Sequence, residues 1–288
     1  MHYTTIATII FIVISIIFVH WVTKESNIIR SNLSLISQAH NPDLCVADAL
    51  HNCVEFKNTL NPLDQTDRGA AIMVGTFVAS VLEKMPELLG TNYTLINYSG
   101  DPTMPFAIVY SNGTVVIRGT LTQKDAFKDF EAFETTEPNL IIDPSGKLVN
   151  AGITVHAGFN SIYQDMKPQF MAALASIDKV FICAHSLGCG ISLLLAFDLL
   201  AYKKTVKIVN FAPPRAGNAA FVNALAAADI TAYINVADVV PTVPPSYIVY
   251  NGVMYQFAHA GKLIHFTSLQ ADLANCHSMA AYLANVTI

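Results

Sequence analysis

The chain has 288 residues, 53 % of them hydrophobic and only 13 % charged, with a formal net charge of −5. That length accommodates one α/β domain plus a targeting segment, and a charged share about half of the usual ~25 % implies a large core and a partly apolar surface or groove. Net negative charge and the absence of any Lys/Arg run exclude nucleic-acid binding, because affinity for a phosphate backbone is mostly charge neutralisation.

Residues 6–22 form an apolar run interrupted only by Thr8, Ser15 and His20. The run is about the length at which a helix begins to cross a ~30 Å hydrocarbon layer, and it exceeds the ~7–15 apolar residues of an ordinary signal-peptide centre. Residues 1–23 therefore read as a signal peptide or a membrane anchor, and the lack of a small-residue cleavage site after them favours the anchor. Lys24 and Arg30 follow the run and no basic residue precedes it, a bias that taken alone places the C-terminal side in the cytosol. Acceptor patterns for N-glycosylation at Asn32, Asn92, Asn97, Asn112 and Asn285 point the other way. Together they favour the secretory pathway, with a luminal or extracellular domain if anchored and a secreted one if cleaved. Of the five cysteines, Cys45 and Cys53 bracket a short loop, Cys183 and Cys189 flank a Ser, and Cys276 abuts a His. The pairing stays open, and an odd count leaves at least one thiol free or shared with another chain. No zinc-type spacing occurs, so neither a metal nor a cofactor is expected.

Residues 24–66 are a polar, turn-rich lead-in, and residues 67–288 form the main domain. Apolar spacing predicts a helix over 67–89, stopped by Gly90. Residues 93–98 alternate as a strand, and 106–110 and 115–118 flank Ser111-Asn112-Gly113-Thr114 as a hairpin. From residue 153 strands and helices alternate: helix 160–176, strand 179–184, a helix over 187–202 apolar almost all round, strand 206–211, helix 218–228 and strand 232–236. Continuous apolar strands alternating with helices predict a parallel sheet covered on both faces. A hairpin around Asn251-Gly252 and a helix after Asp272 complete the chain.

The stretch Ala184-His185-Ser186-Leu187-Gly188-Cys189-Gly190 sets a serine where a buried strand meets a buried helix. A nucleophilic serine on such a turn needs small neighbours, and the helix that follows points N–H groups at the reaction centre. Gly188 meets the first requirement, while Ala184 stands where the motif has a glycine. A serine nucleophile also needs a base and a group that orients it, in the order serine, acid, histidine for this architecture. Among downstream acids, Asp198 sits within a buried helix and Asp229 in a loop between helix and strand. Asp238 follows a strand end, where such sites assemble. His277 is the preferred base, with His259 as the fallback and His265 read as structural.

Seven blocks in order, VVIRGT, VHAGF, AHSLGCG, NFAPPRAGN, NVADVVPTVPP, HAG at His259 and HSMAAYL at His277, resemble the class 3 lipase family over roughly residues 109–282. The resemblance implies an α/β-hydrolase fold, with a mostly parallel central sheet flanked by helices, and the triad Ser186, Asp238 and His277. It also implies an oxyanion hole made by the N–H groups of Thr120 and Leu187. The expected activity is that of a lipase acting on acylglycerol esters at a lipid or membrane interface, with no cofactor. A phospholipase A-type enzyme, a short-chain carboxylesterase and a catalytically silent lipid-binding protein are the alternatives. Ala184 and Cys189 depart from the glycines common in the family's elbow. Residues 121–137, with Phe127, Phe130 and Phe133 among charges, read either as an amphipathic cover over the groove or as a plain surface helix.

Overall fold

A computed structural model describes residues 59–82, 84–98, 105–120, 139–140, 152–250, 253–270 and 273–286. The expected targeting segment (1–23), most of the lead-in, Asn32, Cys45, Cys53 and the 121–137 segment lie outside the described residues.

Helix α1 (Asp67–Leu82) is opened by Thr66, whose Oγ1 accepts the Gly69 N–H at 3.0 Å. It ends at Leu82, about two turns earlier than its apolar spacing suggested. Lys84 takes a positive φ of 53°, and Pro86, which has no N–H to give, starts a separate 3₁₀ turn, Pro86–Leu89. The chain then builds β1 (Tyr93–Asn97), β2 (Pro105–Tyr110) and β3 (Thr114–Ile117), with β2 antiparallel to both neighbours and the β2–β3 hairpin formed as the Asn-Gly signal implied.

Next come α2 (Ala157–Ala173), β4 (Lys179–His185), α3 (Leu187–Ala201), β5 (Thr205–Phe211), α4 (Ala219–Ala224) and β6 (Asp229–Asn235). Helix α2 starts three residues before expectation because His156 caps it, its Nδ1 accepting from Gly158 N–H at 3.1 Å. Strand β6 begins at Asp229, which is thus a strand residue rather than a loop residue. The hairpin β7 (Tyr247–Tyr250) and β8 (Val253–Gln256) stands apart from the main sheet. Strand β9 (Lys262–Phe266) follows, and the last helix is two short ones, α5 (Leu273–Cys276) and α6 (Met279–Leu283), parted at His277 and Ser278.

The main sheet has seven strands in the order β1-β2-β3-β4-β5-β6-β9, parallel from β3 to β9. Alternation in β4 explains the three layers. Val180, Ile182 and Ala184 join the core under α2 and α3, with Phe159, Phe170 and Leu195, while Phe181 and Cys183 join the core under α1 and α6, with Phe77 and Tyr282. Helix α3 is buried nearly all round, wedged between the sheet and α2. This is the α/β-hydrolase architecture, with the C-terminal ends of β3, β4 and β6 converging on one edge.

The far end of α3 carries a charge into the core. Asp198, 2 % exposed, accepts from the Tyr163 hydroxyl at 2.5 Å and meets the Lys167 ammonium at 2.8 Å, both from α2. Asp198 is therefore a fastener between helices and no part of the site. Asp198→Ala should strand the buried Tyr163 hydroxyl and lower stability by about 2 kcal/mol in urea unfolding, because Lys167 can still swing towards water.

Candidate active site

Ser186 sits between β4 and α3 with φ 56° and ψ −128°, a conformation unusual for a residue with a side chain. It is held there by its N–H donating to Phe211 O at 3.0 Å and its carbonyl accepting from Cys189 N–H at 2.9 Å. The crossing is too tight for larger neighbours. A Cβ on Gly188 would lie 2.6 Å from Arg118 O and 2.9 Å from Ile117 O, and one on Gly119 would lie 2.8 Å from Ser186 Cβ. The end of β3 thus packs against the serine from one side and the start of α3 from the other.

Three distant segments meet at Ser186. His277 Nε2 lies 2.8 Å from Ser186 Oγ, and His277 Nδ1 lies 2.7 Å from Asp238 Oδ2. An imidazole bonded this way carries its proton on Nδ1, donates it to the carboxylate, and accepts the serine hydroxyl on Nε2. Asp238 Oδ1 accepts the Val240 N–H at 2.9 Å, which fixes the carboxylate plane. The sequence-derived trio of Ser186, Asp238 and His277 is brought together, all three buried.

The other candidates stand elsewhere. His259 donates from Nε2 to Pro241 O at 2.9 Å, and burial, reinforced by Arg215, pushes its titration down to about 4. Strand β9 carries His265 on an exposed position, and Asp229 is at the opposite end of β6 from Asp238. Leu187 is the first residue of α3, where N–H groups have no carbonyl of their own helix to reach. Thr120, half-buried, directly follows the Gly119 that touches Ser186. The backbone before it is braced by the Arg118 guanidinium, which donates to Pro105 O at 2.7 Å and Gly119 O at 2.8 Å and lies over the Phe106 ring.

Residues 114–248 match the family model for lipase (class 3). Over those residues the chain is similar to the class 3 lipases. In fold, the chain is similar to a triacylglyceride lipase from Rhizomucor miehei, with 21 % identity, 71 % of this chain and 80 % of the other covered, and a TM-score of 0.52. A lipase–propeptide complex from the same organism gives 19 %, 71 %, 68 % and 0.51. No curated protein matches the chain at a significant level.

The fold accommodates the departures from the family elbow. Ala184 is fully buried in the core under α2 and α3, and Cys189 donates its thiol to Phe211 O at 3.2 Å. Burial holds the thiols of Cys183 and Cys189 protonated far above the usual range, so neither is a nucleophile. Cys183, Cys189 and Cys276 are all unpaired thiols. Among the described residues no His, Cys, Asp and Glu group is arranged to hold a metal ion.

Three residues of the candidate site escaped the sequence reading. Asn235, at the end of β6, donates from Nδ2 to Ser268 O at 2.8 Å and Cys276 O at 2.9 Å, and its Oδ1 accepts from Ser268 and Ala237 N–H groups. It thereby ties the acid's loop to the histidine's loop. Tyr282 donates its hydroxyl to Asp238 Oδ2 at 2.7 Å. His185 lies 4.5 Å from the His277 ring, centroid to centroid, and donates Nε2–H to the His277 carbonyl at 2.9 Å. Burial, and then His277, hold His185 well below the usual imidazole range, so it stays neutral beside the base. One cue was present: a polar Asn closing an apolar strand just before the acid.

Proposed function

We propose that the chain is a serine ester hydrolase of lipase type, acting on acylglycerol lipids through an acyl-enzyme. The observation that carries this reading is the unbroken hydrogen-bonded series Asp238–His277–Ser186, ending on a serine held at a strained strand-to-helix bend. Ser186 Oγ attacks the ester carbonyl carbon while His277 Nε2 takes its proton, and Asp238 stabilises the imidazolium without accepting the proton. The N–H groups of Leu187 and Thr120 receive the negative charge that develops on the carbonyl oxygen. As the tetrahedral adduct collapses, the bond to the alcohol breaks and His277 returns the proton to the leaving oxygen. Water, deprotonated by the same imidazole, then attacks the acyl-enzyme, and the freed Ser186 recovers its proton.

A lipid substrate is favoured by the surroundings. Val236, 64 % exposed, stands between Asn235 and Asp238, and Leu269, 82 % exposed, lies on the loop that Asn235 ties to the histidine's turn. Two exposed apolar side chains thus lie on the loops next to the acid and tied to the histidine's turn. A lipid surface would supply apolar contact at that edge. Replacing both with serine should lower turnover of emulsified triacylglycerol roughly 10-fold, the loss of about 1.4 kcal/mol of apolar burial. Hydrolysis of a dissolved short-chain ester should stay unchanged.

The direct test is a substrate panel of p-nitrophenyl butyrate, triolein emulsion and phosphatidylcholine vesicles, with Ser186→Ala as control. Triolein hydrolysis lost in the control supports the lipase reading. Phosphatidylcholine or the short ester alone would move the assignment to the phospholipase or esterase alternatives, and activity surviving in Ser186→Ala would end it. Within the same proposal the enzyme belongs to the secretory pathway. Asn92 and Asn112 are exposed, as glycosylation there requires. Among the described residues no helix is long and apolar enough to cross a membrane.

A further inference from the structure

The carboxylate of Asp238 carries one more hydrogen bond than orienting an imidazole requires. Oδ1 accepts the Val240 N–H at 2.9 Å, and Oδ2 accepts both His277 Nδ1–H and the Tyr282 hydroxyl, each at 2.7 Å. The hydroxyl is itself polarised, because its oxygen accepts the Asn235 N–H at 3.2 Å. A relay thus runs from the backbone of β6 through the phenol of α6 to the oxygen that faces the base. Tyr282 is fully buried, with its ring edge-on to Phe211 at 6.2 Å and to Phe266 at 5.2 Å, so the hydroxyl has a fixed aim.

From this geometry we infer that Tyr282 is a positioning residue that sets how readily His277 takes up a proton, and thereby the low-pH limit of the enzyme. The inference rests on the triad roles proposed above. Its physical basis is competition for one oxygen. A donor on Oδ2 spreads the negative charge of the carboxylate, which then attracts an imidazolium less strongly. The base stays neutral, and able to accept from Ser186, to lower pH than it would beside a carboxylate without that donor. Removing the hydroxyl should have the reverse effect, so that His277 becomes protonated at higher pH.

The other titratable groups facing the pair do not compete for this role. They are His185 from β4, stacked on the His277 ring, Cys189 from the first turn of α3, and Cys276, adjacent to His277. Burial keeps His185 uncharged and the Cys189 thiol protonated. The Tyr282 phenol is held far above its ordinary range, first by burial and then by Asp238, so it donates at every working pH.

The experiment uses the full chain in three forms, wild type, Tyr282→Phe and the protein with 3-fluorotyrosine at 282, which is nearly the same shape but a stronger donor. The imidazole of His277 is titrated by NMR on histidine-labelled protein, its resonance assigned by its loss in His277→Gln, and the acid limb of kcat/KM is measured on p-nitrophenyl butyrate. Tyr282→Phe should move the NMR midpoint and the acid limb up by roughly half a pH unit, and 3-fluorotyrosine should move both down. Tyr233→Phe, which removes another buried hydroxyl, one that donates to Asp67 Oδ2 at 2.7 Å, should shift neither. An imidazole midpoint that stays at its wild-type value in both Tyr282 variants would overturn the inference. If Tyr282→Phe does not fold, the fluorotyrosine form decides. A wild type without esterase activity would count against the hydrolase reading, while the NMR midpoint would still decide the role of Tyr282.

Discussion

Ser186→Ala is expected to lower kcat for ester hydrolysis on the order of 10⁶-fold, leaving only the rate that the oxyanion donors and substrate binding supply without a nucleophile. The loss is that large because, among the described residues, no second group is in place to attack. His277 Nε2 is bonded to Ser186 Oγ, and the nearby thiols of Cys183 and Cys189 are buried and protonated. Alanine tolerates a positive φ about as poorly as serine, so the bend itself should survive. Single-turnover rates on p-nitrophenyl butyrate, read beside an unchanged urea midpoint, check the expectation. A fall of only ten- or a hundredfold would mean that Ser186 assists the chemistry without carrying it.

Asp238→Asn should cost about 10⁴-fold in kcat with little change in KM. The amide keeps the shape of the carboxylate but not its charge. Asp238 Oδ2 now accepts from His277 Nδ1 and from the Tyr282 hydroxyl, and Oδ1 accepts from Val240 N–H. An amide has one oxygen. With that oxygen kept on Val240, its NH₂ faces two donors, and His277 relieves the clash by carrying its proton on Nε2, where it can no longer accept from Ser186. With the amide turned over, Val240 loses its acceptor and the imidazolium still lacks its counter-charge. Steady-state kinetics that separate kcat from KM check this, and a loss confined to KM would show that Asp238 shapes the substrate groove instead.

The elements that position the site were legible where local pattern and tertiary demand agree. Strands β4 and β5 are apolar along their length because both faces are covered, and the Asn-Gly hairpin declares itself over a few residues. Misreadings came where one residue overrides a pattern. Apolar spacing runs on through Met85 and Leu88, but Pro86 cannot donate to the helix, so α1 stops at Leu82. Near the C-terminus, Ser278 caps a new helix by accepting the Ala281 N–H at 3.2 Å, which frees His277 to sit in a turn between α5 and α6. The trio Ser186, Asp238 and His277, which the fold brings together, could be picked out because the proposed chemistry restricts residue types and order. Their supports were not. Tyr282 reaches Asp238 across 44 residues, and Asn235 reaches Cys276 across 41. Only the folded sheet edge makes them neighbours.

Every step proposed above needs the hydroxyl of Ser186 to be an activated nucleophile and not a polar group filling a turn. Labelling the intact protein with a fluorophosphonate, followed by mass-spectrometric mapping of the adduct, tests it most directly. An activated serine gives one adduct per chain, on Ser186, absent in Ser186→Ala and slowed at least a thousandfold in His277→Ala. A folded protein that leaves Ser186 unmodified, or an adduct formed as fast without His277, would contradict it.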